Sequence, residues 1–301
     1  MIVIETVDEA FYSVLEETAR EAYVLSLKDI PADVRDGMRA AIATESSPRA
    51  VQIMRTMLDA VELGDRGMMV CQDTGIPIYW LRIGTAAYVD GGRLREVIET
   101  ATRKATLETP FRSSIVHPIE RVNRQDSTGE GVPVLHFDFN AGANYLELLM
   151  MPKGSGSENW SFLKMLLPAD GEPGIKKFIL ESVAAAGGKA CPPLVVGVGL
   201  GGTSDQCVAL AKEATARPVG MRHPDPKVAA FELDMLAQIN QLGIGPQGLG
   251  GDTTALDVHI ERAWTHNSMN PVAVSMQCWR GERRRARISY HDLTVDWGYW
   301  W

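Results

Sequence analysis

Three cysteines, a carboxylate, an arginine and a histidine hold most of the chemistry this sequence could do. Cys71 opens the run Cys71-Gln72-Asp73-Thr74-Gly75, which sets a thiol, an amide, a carboxylate and a hydroxyl side by side and ends them at a glycine. Cys191 stands in Ala190-Cys191-Pro192-Pro193 ahead of an apolar run, and Cys278 in Gln277-Cys278-Trp279 after another. Each falls at a break between expected elements, where turns can aim thiolates at a common centre. Their separations, 120 and then 87 residues, match no local ligand signature such as CxxC. Two readings therefore stand on spacing alone: small buried apolar residues, or metal ligands gathered by the fold. The fourth cysteine, Cys207, lies mid-helix in Asp205-Gln206-Cys207-Val208-Ala209-Leu210 and reads as a packed core residue.

Among the histidines, His266 sits in the loop Trp264-Thr265-His266-Asn267-Ser268 and is the better catalytic candidate; His259 falls within an alternating strand and reads as packed or surface-facing. Arg112 follows a helix end. It is either a solvated arginine or a bidentate partner for a carboxylate. Gly197-Val198-Gly199-Leu200-Gly201-Gly202 satisfies G-x-G-x-x-G between an expected strand and an expected helix. A dinucleotide site would need an acidic residue about 20 residues further on, closing a strand. That region is the proline-rich Met221-Arg222-His223-Pro224. Nicotinamide binding stays as one alternative, and an anion site for a substrate carboxylate at the following helix N-terminus as the other.

These residues must be held by the elements around them. Apolar spacing predicts a helix over 7–24, a second over 32–44 opened by Pro31 with Asp29 as its cap, and a third from Ser46-Ser47-Pro48 to about Leu63, stopped by Gly64-Asp65-Arg66-Gly67. Alternation predicts a strand over 76–83, and a charged-faced helix spans 91–108. Strands over 132–139 and 145–151 are expected to pair as a hairpin across Asn140-Ala141-Gly142-Ala143-Asn144. Gly154 to Asn159 reads as a glycine-rich turn. Helices follow over 175–186, 205–216 and 227–242, a buried strand over 194–199, and strands over 253–261, 271–276 and 285–290. The fold class is α+β: an N-terminal helical region, about 1–67, followed by mixed sheets flanked by helices, about 68–291, in one domain spanning 1–301.

The chain has 301 residues, 45% hydrophobic and 23% charged, with a formal charge of −8. That suits a folded soluble protein and argues against a general nucleic-acid binder, which needs a basic face. No apolar run approaches the roughly 18 residues of a membrane span. The N-terminus has no basic stretch before an apolar core, so no secretory signal is expected; the thiols are expected reduced, in the cytoplasm.

Taken together, Cys71-Gln72-Asp73-Thr74-Gly75, Gly154-Ser155-Gly156-Ser157-Glu158-Asn159, Ala190-Cys191-Pro192-Pro193, Gly197-Val198-Gly199, Arg217-Pro218-Val219-Gly220, Leu242-Gly243-Ile244-Gly245-Pro246-Gln247-Gly248 and Ala255-Leu256-Asp257-Val258-His259 resemble the class I (iron–sulfur) fumarate hydratase and L(+)-tartrate dehydratase family. The resemblance runs from about Asp29 to Tyr290 and points to the α subunit of the two-subunit form, or the N-terminal domain of the fused one. It implies a [4Fe-4S] cluster held by Cys71, Cys191 and Cys278, with one iron open to substrate and Cys207 a bystander. It implies Asp73 as general acid/base. Gln72, Gly156, Arg112 and His266 are implied to contact substrate, His266 often across a dimer interface. Two positions depart from the family pattern: Ser127-Thr128-Gly129 stands where Asn-Thr-Gly is common, and Gly154-Ser155-Gly156, which keeps the last glycine, stands where three glycines are common. The family's second half supplies a catalytic threonine and further cations. A separate β subunit carrying that C-terminal catalytic domain is therefore expected, in an α2β2 assembly without membrane or nucleic acid. The implied reaction is reversible hydration of fumarate to (S)-malate, with tartrate dehydration and mesaconate hydration as alternatives.

Overall fold

The computed structural model describes residues 5–62 and 69–298. The elements run β1 (Glu5–Thr6), α1 (Glu9–Lys28), α2 (Ala32–Thr44), α3 (Pro48–Glu62), β2 (Ile76–Gly84), β3 (Ala87–Tyr88), α4 (Gly91–Glu108), β4 (Val134–Asn140) and β5 (Tyr145–Lys153). They continue through α5 (Ser155–Glu158), β6 (Phe162–Leu166), α6 (Gly171–Ala186), β7 (Leu194–Leu200), α7 (Ser204–Ala214), α8 (Pro226–Asn240), β8 (Ala255–Arg262), β9 (Asn270–Gln277), β10 (Arg284–Ser289) and β11 (Val295–Trp297). This is the expected mixture of helices and mixed sheets. The chain forms two compact units, one from residues 1–29, 65–154 and 282–300, the other from 30–64 and 155–281.

The first unit is built on a five-stranded sheet in the order β11-β10-β5-β2-β4. Asp8 starts α1 by accepting the Phe11 amide at 3.1 Å. Phe11, Leu15, Ala19 and Ala22 recur at helical spacing and are all fully buried. They meet the alternate residues Tyr79, Leu81 and Ile83 of β2 and Leu146, Leu148 and Met150 of β5. Leu94, Ile98, Ala101 and Ala105 of α4 complete the core. Each large side chain buried there contributes roughly 1.5–3 kcal/mol.

The expected hairpin of β4 with β5 does not form. β2 lies between them, parallel to β4 and antiparallel to β5. Gly84 explains how the connection passes: a Cβ there would stand 2.3 Å from the Ala143 carbonyl oxygen and 2.4 Å from that of Tyr145. The 141–144 turn therefore crosses the bare end of β2, and the Thr85 and Ala86 amides donate to the Asn140 and Ala143 carbonyls at 3.1 and 3.0 Å. Asp29 is also not the cap of α2, which begins after Pro31 with no side-chain cap. It closes α1 instead, its amide donating to Leu25 O at 3.1 Å, and its carboxylate pairs with Arg284 at 3.2 Å. The predicted helix stop at Gly64-Asp65-Arg66-Gly67 lies outside the described residues.

The second unit centres on β7 in a sheet ordered β6-β9-β7-β8, with β8 parallel and β9 antiparallel to it. The two faces of β7 differ. Val196 and Val198 join Ile179 and Val183 of α6 and Met235 and Ile239 of α8. Gly197 and Gly199 face α7, where a Cβ would stand 2.1 Å from Ala211 O and 2.0 Å from Cys207 O. These glycines let helix and strand touch backbone to backbone. α2 and α3 form a separate cluster, Val34, Met38, Met54 and Leu58, against which Val219, Leu256 and Trp279 pack. β6 and β11 have no counterpart in the sequence reading, and the short helix α5 stands where a turn was expected. Among the described residues no helix is long and apolar enough to cross a membrane.

Candidate functional site

In the first unit the Cys71-to-Gly75 run leads into β2 as an irregular segment, exposed at Cys71 and Gln72 and buried at Thr74 and Gly75. Asp73 stabilises it locally: its Oδ1 accepts the Gly75 amide at 3.0 Å, an Asx turn. Gly75 is at φ 66, and a Cβ would fall 2.7 Å from Lys153 N, so the turn requires glycine both for conformation and for space. Thr74 is fully buried and ties the turn to the rest of the unit. Its Oγ1 donates to the Arg112 carbonyl at 2.5 Å and lies 3.4 Å from Ser114 Oγ. Its own carbonyl accepts the Tyr23 hydroxyl at 3.3 Å. Burial pushes the Tyr23 hydroxyl up to about 12 despite hydrogen bonds with Ser127 and Thr74, and the nearby Asp73 charge pushes in the same direction, so Tyr23 remains a donor at neutral pH. Gln72, Asp73 and Arg112, chosen separately from the sequence, thus belong to one neighbourhood. Thr74 and Tyr23, which hold it, carried no sequence signal beyond their position.

In the second unit two cysteines come together. β7 and β9 run antiparallel, pairing Val195 with Gln277, so the start of β7 lies beside the end of β9. Cys191 precedes one and Cys278 follows the other. The Trp279 amide donates to the Cys191 carbonyl at 3.2 Å and joins the two turns directly. Cys191 closes a 3-10 turn over Gly187–Ala190 in the left-handed region, φ 57 and ψ 62, a conformation a β-carbon disfavours. Gly156, in α5, borders the thiol: a Cβ there would lie 3.5 Å from Lys189 O and 4.0 Å from Cys191 Sγ. Those are ordinary contacts. The chain itself does not demand glycine at 156, yet glycine leaves the space beside the sulfur clear. Glu158 of the same helix pairs with Lys212.

All four cysteines are free thiols. Cys71 is exposed, Cys191 and Cys278 partly so, and Cys207 is buried. Among the described residues no group of three Cys, His, Asp or Glu side chains could hold a single metal ion. A cubane cluster asks for something else: each cysteine bonds a different iron, so its ligands stand apart around a larger body. Accessible thiols on turns, a joined Cys191–Cys278 pair and a cleared space next to Cys191 fit that donor set. Cys207 does not. Its Sγ donates to Gly199 O at 3.2 Å, and burial pushes its thiol up to about 11.

His266 lies elsewhere in this unit. It is exposed in the loop before β9, whereas Cys278 follows the end of that strand. Eight residues of strand separate them by about 25 Å. The same end of the sheet carries the Gly197-to-Gly202 turn, where Thr265 Oγ1 donates to Gly202 O at 3.0 Å. That turn is not shaped as an anion site. The Asp205 carboxylate already occupies the start of α7, held below the ordinary carboxylate range by the Thr203 hydroxyl and the Asp205 and Gln206 amides. A Cβ at Gly202 would meet Gln206 Oε1 at 2.3 Å.

His259 is fully buried, with Nε2 3.1 Å from Asp257 Oδ2 and Nδ1 3.2 Å from Ala214 O. Burial raises the Asp257 carboxyl, but His259, the Gly220 amide and Arg222 outweigh it and hold the group below its usual range. Arg217, also buried, pairs with Glu232 and Glu261 and donates to Ile260 O at 2.9 Å. Arg217-Pro218-Val219-Gly220 and Ala255-to-His259 thus clamp the connector before α8 against β8; they are scaffold.

The chain matches known proteins over nearly its whole length. The fumarate hydratase (Fumerase) family model covers residues 16–288. A protein of Methanocaldococcus jannaschii, provisionally named L(+)-tartrate dehydratase subunit alpha, is 41% identical over 280 residues, 91% of this chain and 96% of that one. L(+)-tartrate dehydratase subunit alpha of Escherichia coli K12 is 35% identical over 268 residues, 89% of this chain and 88% of its own, as is that of Shigella sonnei. The chain therefore belongs to the fumarate hydratase family of hydro-lyases.

Proposed function

We propose that this chain is the cluster-bearing α subunit of a hydro-lyase that adds water to, or removes it from, a four-carbon dicarboxylate, and that it works with a separate β subunit in an α2β2 assembly. Cys71, Cys191 and Cys278 are the residues that hold a [4Fe-4S] cluster in this reading. When bound, the cluster supplies a Lewis acid for the substrate's hydroxyl oxygen. The observation that carries the reading is the second-unit half-site: Cys191 and Cys278 joined through the Trp279 amide, with Gly156 clearing the space at Cys191 Sγ.

Asp73 is the group that gives a proton to the departing hydroxyl and takes it back from water in the hydration direction. Its Oδ1 accepts the Gly75 amide, which fixes the carboxyl group within the turn. Arg112 neutralises a substrate carboxylate, and Gln72 donates its amide to substrate oxygen. The carbon-bound proton falls to a residue of the β subunit. Names of relatives as alpha subunits support the two-chain assembly. Hydration of fumarate to (S)-malate is the primary reading. Dehydration of L(+)-tartrate is the second, favoured by those relatives' names.

Co-production with a β-type partner, cluster assembly without oxygen, and parallel assays on fumarate, mesaconate and tartrate test the proposal. Iron at about four per chain with turnover of one of these acids is expected. A colourless protein that binds no iron and turns over none of them sinks it.

A further inference from the structure

The glycine-rich loop 243–254 has no role in the chemistry above, yet it presses on the turn that carries Cys191. Gly188 and Gly248 meet backbone to backbone: a Cβ on Gly188 would stand 2.8 Å from the Gly248 Cα, and one on Gly248 2.5 Å from the Gly188 Cα. Gln247 donates twice to a single acceptor, the Pro192 carbonyl, through its amide N–H at 2.9 Å and its Nε2 at 3.2 Å. Cys191 and Gln247 are both non-glycine residues in the left-handed region, at φ 57 and φ 54. Such conformations persist only where the surroundings over-determine them.

The sequence explains why outside donors are needed. Pro192 and Pro193 have no amide N–H, so this segment can anchor itself only through its carbonyls. Trp279 N takes the carbonyl of Cys191, and Gln247 takes that of Pro192. The loop bearing Gln247 is fixed in turn. The Glu45 carboxylate accepts the Asp252 and Thr253 amides and the Thr253 hydroxyl at 2.8–3.0 Å, and Asn240 Oδ1 accepts the Thr254 and Ala255 amides at 2.9 Å.

We propose that Gln247 is a positioning residue for the Cys191 thiolate: its paired donors lock the Pro192-Pro193 peptide that directly follows Cys191 and thereby aim the sulfur at the iron it binds. This rests on the cluster reading above. Three variants of the full chain test it. Gln247→Ala removes the side-chain donor. Gln247→Glu keeps the length but presents an acceptor to Pro192 O. Gln247→Gly suits φ 54 and keeps the backbone bond, so its fold is the most secure.

In iron-free protein, iodoacetamide labelling of Cys191 relative to Cys278, read by mass spectrometry, is expected to change about fivefold in all three, the population shift that one lost hydrogen bond gives. After anaerobic iron–sulfur reconstitution, bound iron is expected to fall toward that of Cys191→Ser. A Gln247→Gly protein with wild-type thermal midpoint, labelling ratio and iron content overturns the proposal. A Gln247→Glu protein that matches wild type overturns the role of the side-chain donor. Wild-type chain that takes up no iron defeats the cluster reading instead, while the labelling ratio still decides the role of Gln247.

Discussion

Replacing Thr74 with valine removes one hydroxyl at nearly constant shape. The lost bond is the 2.5 Å donation to the Arg112 carbonyl, which links two segments 38 residues apart. Arg112 is exposed, and Ser114 Oγ still lies 3.4 Å from that carbonyl, so the acceptor can turn to water. The stability cost is therefore at the low end for a buried hydrogen bond, about 0.5–1.5 kcal/mol, read as a shift in a urea unfolding midpoint. The functional cost is expected to be larger in kind. Arg112 loses the tether that relates it to Asp73, and KM for the dicarboxylate in the assembled enzyme rises about fivefold to tenfold, equivalent to about 1–1.4 kcal/mol of carboxylate binding. kcat changes less. Thr102→Val is the control. Thr102 is buried within α4 of the same unit and bonds Ile98 O and the Tyr79 hydroxyl rather than the Arg112 carbonyl. It should cost about 1–3 kcal/mol of stability, because it strips a buried phenol of its partner, with KM unmoved. Equal KM values for Thr74→Val and wild type, alongside a measurable stability loss, would refute the idea that Thr74 serves substrate binding.

Gly156→Ala should unfold within about 0.5 kcal/mol of wild type, because its Cβ meets nothing closer than 3.5 Å, yet lose bound iron or turnover because it fills space beside Cys191 Sγ. Gly199→Ala should cost about 3 kcal/mol or more in denaturant unfolding, since its Cβ would fall 2.0 Å from Cys207 O; a mild effect would mean that the α7–β7 contact is loose. Cys207 should resist alkylation in the folded chain at pH 8. Its folded value is raised from 9.0 to about 11, so its contribution is fully present below pH 9 and is lost as pH rises toward about 11; Cys207→Ala should flatten that limb of the stability–pH curve.

Much of this architecture was legible in the sequence because local physics agreed with the global fold. The second helix begins and ends where Pro31 and apolar spacing put it, and the fourth matches its periodicity over 91–108. What misled was the connection over 140–144. A five-residue polar loop between two strands is hairpin-like in isolation, and only the missing β-carbon of Gly84, some 60 residues earlier, lets another strand sit between them. Gly197 to Gly202 misled in the same way. Their spacing fits a phosphate turn, but Gly197 and Gly199 serve helix contact, and Asp205 fills the helix start. For the candidate site, the proximity of Cys191 and Cys278 was invisible in a gap of 87 residues because antiparallel pairing of β7 with β9 creates it. β6 was missed because Leu163 and Met165 are exposed on it, so its apolar content advertises no single buried face.

The length of β9 has a consequence for how the enzyme can be divided among chains. Its two ends bear Cys278 and the loop of His266, and a strand is too stiff to fold those ends onto one small acid. If both residues serve the same substrate molecule, they must come from two copies of this chain. A copy spoiled at His266 and a copy spoiled at Cys278 would each be dead alone and yet restore one working centre when paired. Damage of the two kinds would then complement within an assembly, whereas two lesions on the same side of that division would not.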